Sequence, residues 1–136
     1  MKMPAVIENA MLAPCGMNCK ICYKHCFSKK TCRGCLAGDL GKPAHCRTCK
    51  IKQCARAHGL IYCYTCAEFP CKRIKRLETS YLTRYGTSLI QNSITVRDKG
   101  IQLFLAEQEK LWKCPQCGGV ISLHDRVCSE CKRTIS

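Results

Sequence analysis

Six pairs of cysteines separated by two residues punctuate the chain: Cys19/Cys22, Cys32/Cys35, Cys46/Cys49, Cys63/Cys66, Cys114/Cys117 and Cys128/Cys131. Two intervening residues let a tight turn aim both sulfurs, and several backbone N–H groups, at one metal ion. One such pair is weak evidence; six within 136 residues constrain the fold more than any hydrophobic pattern does. The cysteines are also clustered. Twelve lie between Cys15 and Cys71, none from Lys72 to Lys113, and four from Cys114 to Cys131. The chain therefore divides into a cysteine-rich multi-metal module at 1–71, a helical connector packing on it at 72–113, and a C-terminal zinc ribbon at 114–136.

The 16 cysteines inflate the 46% of residues that count as hydrophobic. Without them about 35% remain, a thin core for a chain of this length, so cross-links or metals must supply much of the stability. Disulfides need an oxidising compartment. The opening MKMPAVIENAMLAPCG is broken by Pro4, Glu8 and Asn9 and offers no apolar export segment, and no run is long enough to span a membrane. The expected setting is the reducing cytoplasm, where paired cysteines serve as metal ligands.

The segment from Cys114 to Cys131 reads C-x2-C-x10-C-x2-C. Pro115 presets the first knuckle, Gly118 and Gly119 permit the turn after Cys117, Val120, Ile121 and Leu123 suit a short strand, and His124-Asp125 stands where a hairpin would turn. This predicts a β zinc ribbon in which four thiolates close a tetrahedral structural site; iron is the alternative ion for the same set. Cys32, Cys35, Cys46 and Cys49 repeat the spacing. Grouping in chain order leaves Cys15, Cys19, Cys22 and Cys26 as one set and Cys54, Cys63, Cys66 and Cys71 as another, giving about four zinc ions in all. An interleaved arrangement, in which Cys19/Cys22 share a metal with a distant pair, fits the spacing as well.

The run Cys15, Cys19, Cys22, Cys26 is also close to a ferredoxin ligand spacing, so an iron–sulfur cluster is the alternative cofactor of the first module. Its first three members match the spacing of radical S-adenosylmethionine enzymes, but the chain is too short to build the partial barrel that chemistry requires. His25 and His45 each precede a cysteine and can replace a sulfur; with sixteen cysteines divisible by four, solvated or supporting roles suit the histidines better. No paired carboxylates and no Gly-rich phosphate loop are present, and a closed thiolate site activates no water, so no enzymatic function and no small-molecule substrate are expected.

In the connector, Ile74, Leu77, Tyr81 and Tyr85 recur at helical spacing until Gly86. A second helix starts from Thr87 or Ser88 as N-cap and runs to Lys99, with Gly100 as stop, and a third covers Ile101 to Trp112. The expected fold is thus a small metal-stabilised α+β structure: an irregular multi-zinc-knuckle module, two or three connector helices and the ribbon.

The motifs APCGMNCKIC, TCRGC, HCRTCKIKQCARAHG and CYTCAEFPC, followed by a basic helix, resemble a cysteine-rich bacterial and archaeal family of unknown function. SYLTRYGTSLIQN, GIQLFLAEQEKLWKCPQCGG and the ribbon are similar to the longer members. The resemblance implies zinc binding at the matching cysteines and carries over no activity or substrate.

The formal net charge of +14 points to nucleic acid or another anionic partner. From Cys15 to Leu77 there are 14 Lys+Arg against 2 acids, whereas from Glu78 onward there are 8 against 6. The first module and the start of the connector therefore carry the basic footprint. Lys50, Lys52, Arg56, Lys72, Arg73, Lys75 and Arg76 are the candidate phosphate contacts, with Tyr62 and Tyr64 available for stacking. The competing reading makes these cations counterions of the metal–thiolate sites. The functional expectation is a structural zinc protein acting as a non-catalytic binding module for nucleic acid or a protein partner. An iron–sulfur redox or metal-handling protein is the alternative.

Overall fold

The computed structural model describes residues 1–27, 34, 36 and 49–135, and of Lys24 the backbone alone. Cys32, Cys35, Cys46 and His45, named above as ligand candidates, lie outside the described residues. Among the described residues, the helices are α1 (Tyr23–Cys26), α2 (Lys50–Ala57), α3 (Lys72–Tyr85), α4 (Leu89–Lys99) and α5 (Ile101–Leu111), with 3-10 turns at Asn9–Met11, Cys19–Ile21 and Cys63–Thr65.

The connector forms where its punctuation places it. Helix α3 begins directly after Cys71 and ends at Gly86, whose φ of 66° lets its N–H reach back to Leu82 O and Tyr81 O. Ser88 caps α4 by accepting from Gln91 N at 3.0 Å. A second cap comes from α3: Glu78 is buried and accepts from Ser88 Oγ at 3.1 Å and from Ile90 N at 2.8 Å. The carboxylate thus sits where the N-terminal end of α4 carries partial positive charge. Gly100 ends α4 and opens α5, which runs to Leu111 before Trp112.

The main core is assembled from segments far apart in sequence. Ile7 and Leu12 from the N-terminal stretch, Leu89 and Val96 of α4, Phe104 and Leu105 of α5, and Val120, Ile121 and Leu123 are buried together. Around Cys114–Thr134 the backbone makes antiparallel bridges rather than long strands: Lys113 with Val120, Ile121 with Cys128, and Val127 with Thr134. The chain turns at His124-Asp125, as expected, and Arg126 takes a positive φ of 55° as it leaves.

Two features were not anticipated. The opening residues, assigned above to the first module, pair with the C-terminal segment: Lys2 bridges Gly119, Met3 N donates to Gly118 O at 2.9 Å, and Val120 N donates to Met1 O at 2.8 Å. The cysteine-rich stretch also holds a regular helix, α2, which buries Ile51 and Ala55. Among the described residues, no helix is long and apolar enough to cross a membrane.

Candidate metal centres

The C-terminal knuckles bring the Sγ atoms of Cys114, Cys117, Cys128 and Cys131 within 4.8 Å of one another. Cys114 and Cys131 stand 3.8 Å apart and Cys117 and Cys128 3.4 Å apart, so each knuckle faces the other. Each knuckle closes alike. Gly118 N donates to Cys114 O at 2.9 Å and Lys132 N to Cys128 O at 3.1 Å, with φ of 74° at Gly118 and 62° at Lys132. A lysine therefore holds the left-handed position of the second knuckle. Its ammonium is fixed on both sides, donating to Ser129 O at 2.7 Å and lying 4.7 Å from the centre of the Phe27 ring.

Backbone N–H groups aimed at sulfur prepare the two leading cysteines for the thiolate form. Those of Cys117 and Gln116 pull the Cys114 thiol below its usual range. Burial pushes Cys128 up, but the N–H groups of Cys131 and Glu130 outweigh it and leave this thiol low as well. Cys114 and Cys128 are buried and Cys131 is exposed, so protein closes one side of the cluster. The donor chemistry, four soft sulfurs with N–H support, fits Zn2+ or a single iron.

A second group gathers around α2 and the start of α3. Cys54, Cys63, Cys66 and Cys71 line one apolar cavity of about 30 Å³ together with Ala55, His58 and Ile74. Their sulfurs are spread more widely than those of the C-terminal set. The Cys63 thiol is pushed up to about 12, first by burial and then by the neighbouring Cys71, Cys54, Cys66 and Cys49. Crowded thiols of this kind ionise together only when a cation is among them. His58 extends from the same helix and its Nδ1–H donates to Cys54 O at 2.8 Å.

Burial first, and the neighbouring Cys15, Cys22 and Cys19 next, hold the Tyr81 phenol above its usual range. Cys26 is buried, and burial raises its thiol to about 11. Among the described residues, the sulfurs of Cys15, Cys19, Cys22 and Cys26 do not converge as those of the C-terminal set do. Gly34 backs onto this region, where a Cβ would lie 3.6 Å from Cys19 Cβ.

The non-cysteine residues of CGMNC have structural duties. Gly16 has φ of 99°, and a Cβ there would lie 2.5 Å from Leu89 O and 2.6 Å from Ser93 Oγ. The glycine thus lets the Cys15 loop lie against α4, where Asn92 Nδ2 donates to Gly16 O at 3.1 Å. Asn18, 1% exposed, accepts from Lys20 N at 3.1 Å and so caps the turn carrying Cys19. Cys63 N donates to Pro14 O at 2.9 Å, tying the second thiol group to this loop.

Among the histidines, His25 lies 3.2 Å from Lys20 Nζ through Nε2. His124, at the turn of the C-terminal segment, inserts among tyrosines. Its ring is 4.8 Å from those of Tyr23 and Tyr85 and 6.4 Å from that of Tyr81. Of the candidate phosphate contacts, Lys50, Arg56, Lys72, Arg73, Lys75 and Arg76 are exposed. Lys52 is only 6% exposed and is not presented at the surface, because it lies on the inward side of α2 with Ile51 and Ala55. Tyr62 and Tyr64 stack on each other at 5.6 Å and pack against the main core.

Residues 11–76 match the model of a family described as a protein of unknown function (DUF3795). The match takes in every cysteine from Cys15 to Cys71, while the C-terminal four-cysteine cluster lies beyond it. No curated protein and no solved structure matches the chain.

Proposed function

We propose that this protein is a structural zinc-binding module, non-catalytic, whose thiolate centres hold a helical surface for nucleic acid or a protein partner. The observation that carries the reading is the convergence of Cys114, Cys117, Cys128 and Cys131, whose sulfurs lie within 4.8 Å of one another. Zn2+ bound there supplies a closed tetrahedral anchor and no reactive water. The antiparallel bridges around it fit a zinc ribbon. The cavity of Cys54, Cys63, Cys66 and Cys71 is the second centre, and the remaining ligand sets draw on Cys15, Cys19, Cys22, Cys26, Cys32, Cys35, Cys46 and Cys49. A reducing cytoplasm keeps such thiols available as ligands.

Metal analysis of anaerobically purified protein tests this reading. The expected result is a colourless protein with about four zinc ions per chain, one for each set of four thiolates. A brown protein absorbing near ~400 nm would instead favour iron–sulfur clusters in the first module. Metal-free protein that stays fully folded would overturn both.

A further inference from the structure

We propose that the groove between α2 and α3 binds the phosphate backbone of single-stranded nucleic acid, with Lys50, Arg73 and Arg76 as its phosphate contacts. The inference rests on the zinc-module reading, because the thiolate centres hold the two helices together. The groove measures about 500 Å³; Cys49, Lys50 and Ile51 at the start of α2 face Arg73, Arg76, Leu77 and Ser80 of α3 across it. Cations stand on both sides and aliphatic side chains between them. Arg73 also lines the adjoining cleft with Lys72 and Lys75, so the positive strip continues past the groove, with Glu68 as the acid at its edge.

Two observations separate this strip from an ordinary solvated helix face. The only carboxylate of α3, Glu78, is buried and turned to Ser88 and Ile90, so it neutralises nothing on the outer side. Among the described residues, no ion pair engages Lys50, Arg56, Lys72, Arg73, Lys75 or Arg76. The thiolates beneath do not balance these cations either. A zinc ion held by four thiolates carries a net charge of about −2, and Glu68 and the Cys49 thiolate add about −1 each, which among the described residues leaves about two of the six positive charges uncompensated.

A single strand suits the groove better than a duplex. Unstacked nucleotides can place sugar or base on the half-buried Leu77 while their phosphates meet the cations, whereas a duplex keeps its bases stacked inside. Tyr62 and Tyr64, stacked on each other and packed on the core, add no platform for bases. Binding is therefore dominated by phosphate contacts, nearly indifferent to sequence and strongly salt-dependent. For three phosphates neutralised on a single strand, affinity falls about 20-fold between ~50 and ~200 mM salt.

The test uses the full zinc-loaded chain with fluorescent oligo(U) and oligo(dT), titrated by anisotropy at both salt concentrations while zinc content is measured in parallel. The expected outcome is binding with that salt dependence and a loss of tenfold or more in both Arg73→Ala/Arg76→Ala and Lys50→Glu. The control Arg97→Ala/Lys99→Ala, which removes two charges from α4, should change affinity less than threefold. No binding at low salt by zinc-loaded protein would overturn the groove and leave the zinc reading intact. An equal loss in the α4 control would overturn it as well, as would displacement of the probe by duplex or by polyglutamate more readily than by unlabelled single strand. The polyglutamate result would point to an acidic protein partner. Protein that folds without zinc would instead overturn the zinc reading.

Discussion

Gly119 stands directly against the sulfur of Cys128: a Cβ on this glycine would lie 2.7 Å from Cys128 Sγ, with Glu130 Cβ at 2.9 Å on the same side. The second glycine of the CPQCGG motif is thus required for space at the cluster. The first, Gly118, serves the turn, with φ of 74°. Gly119→Ala should force Cys128 away from its three partners. We expect at least a tenfold loss of zinc affinity, measured by competition with a chromogenic chelator, and a destabilisation of about 1 to 3 kcal/mol from overpacking.

Gly16 poses the same question in the first motif, with backbone strain added. Its φ of 99° and the 2.5 Å approach to Leu89 O leave no room for a side chain. Gly16→Ala should cost about 2 to 4 kcal/mol, since both a left-handed residue and a backbone clash oppose it. Thermal unfolding of the zinc-loaded protein checks this, and a change below ~1 kcal/mol would contradict the close packing of the Cys15 loop on α4.

Glu78 and Ser88 form one capping unit at the start of α4, joined by the 3.1 Å bond from Ser88 Oγ to Glu78 Oε2. Glu78→Ala should destabilise the protein by about 1 to 3 kcal/mol and Ser88→Ala by about 1 kcal/mol. The double variant should fall short of the sum because the residues share a bond, a non-additivity that urea denaturation at constant zinc resolves.

His124 links the C-terminal segment to α3. Burial holds its imidazole below the usual range, against a smaller upward pull from Asp125. The unfolded chain therefore takes up a proton more readily at this residue than the folded one does. The stabilisation is fully present above the unfolded value, about 6.5, and is lost as the pH falls through the lower folded value. An NMR titration of the imidazole should show a midpoint below ~6.5. His124→Phe, which keeps a ring beside Tyr23 and Tyr85, should remove this contribution to acid destabilisation. A midpoint above ~6.5 would contradict the burial of the ring.

What could be read ahead of the structure was local. The ends of α3 and α4 follow from Gly86, Ser88 and Gly100, because a cap or a left-handed glycine acts within one helical turn. The C-terminal cluster was legible for a similar reason, since each C-x2-C knuckle closes on its own backbone, as at Gly118 and Lys132. Helix α2 escaped notice because its eight residues sit among cysteines whose spacing suggests knuckles, and its buried side is completed by Leu60 and Ile74 from later segments. The basic residues were visible as a count. Only the arrangement of α2 against α3 distinguishes Lys50, at the groove, from the buried Lys52 two residues on.

The sequence by itself determined the ligand chemistry, the knuckle spacing and the helix ends, since each depends on atoms within a few residues of one another. Tertiary structure decided which cysteines come near one another. It drew Cys54 into one cavity with Cys63, Cys66 and Cys71, and it brought the two C-terminal knuckles face to face. It also paired Lys2 with Gly119, across nearly the whole chain. Thiols are chemically alike at every position, so their grouping is set by which distant segments pack together.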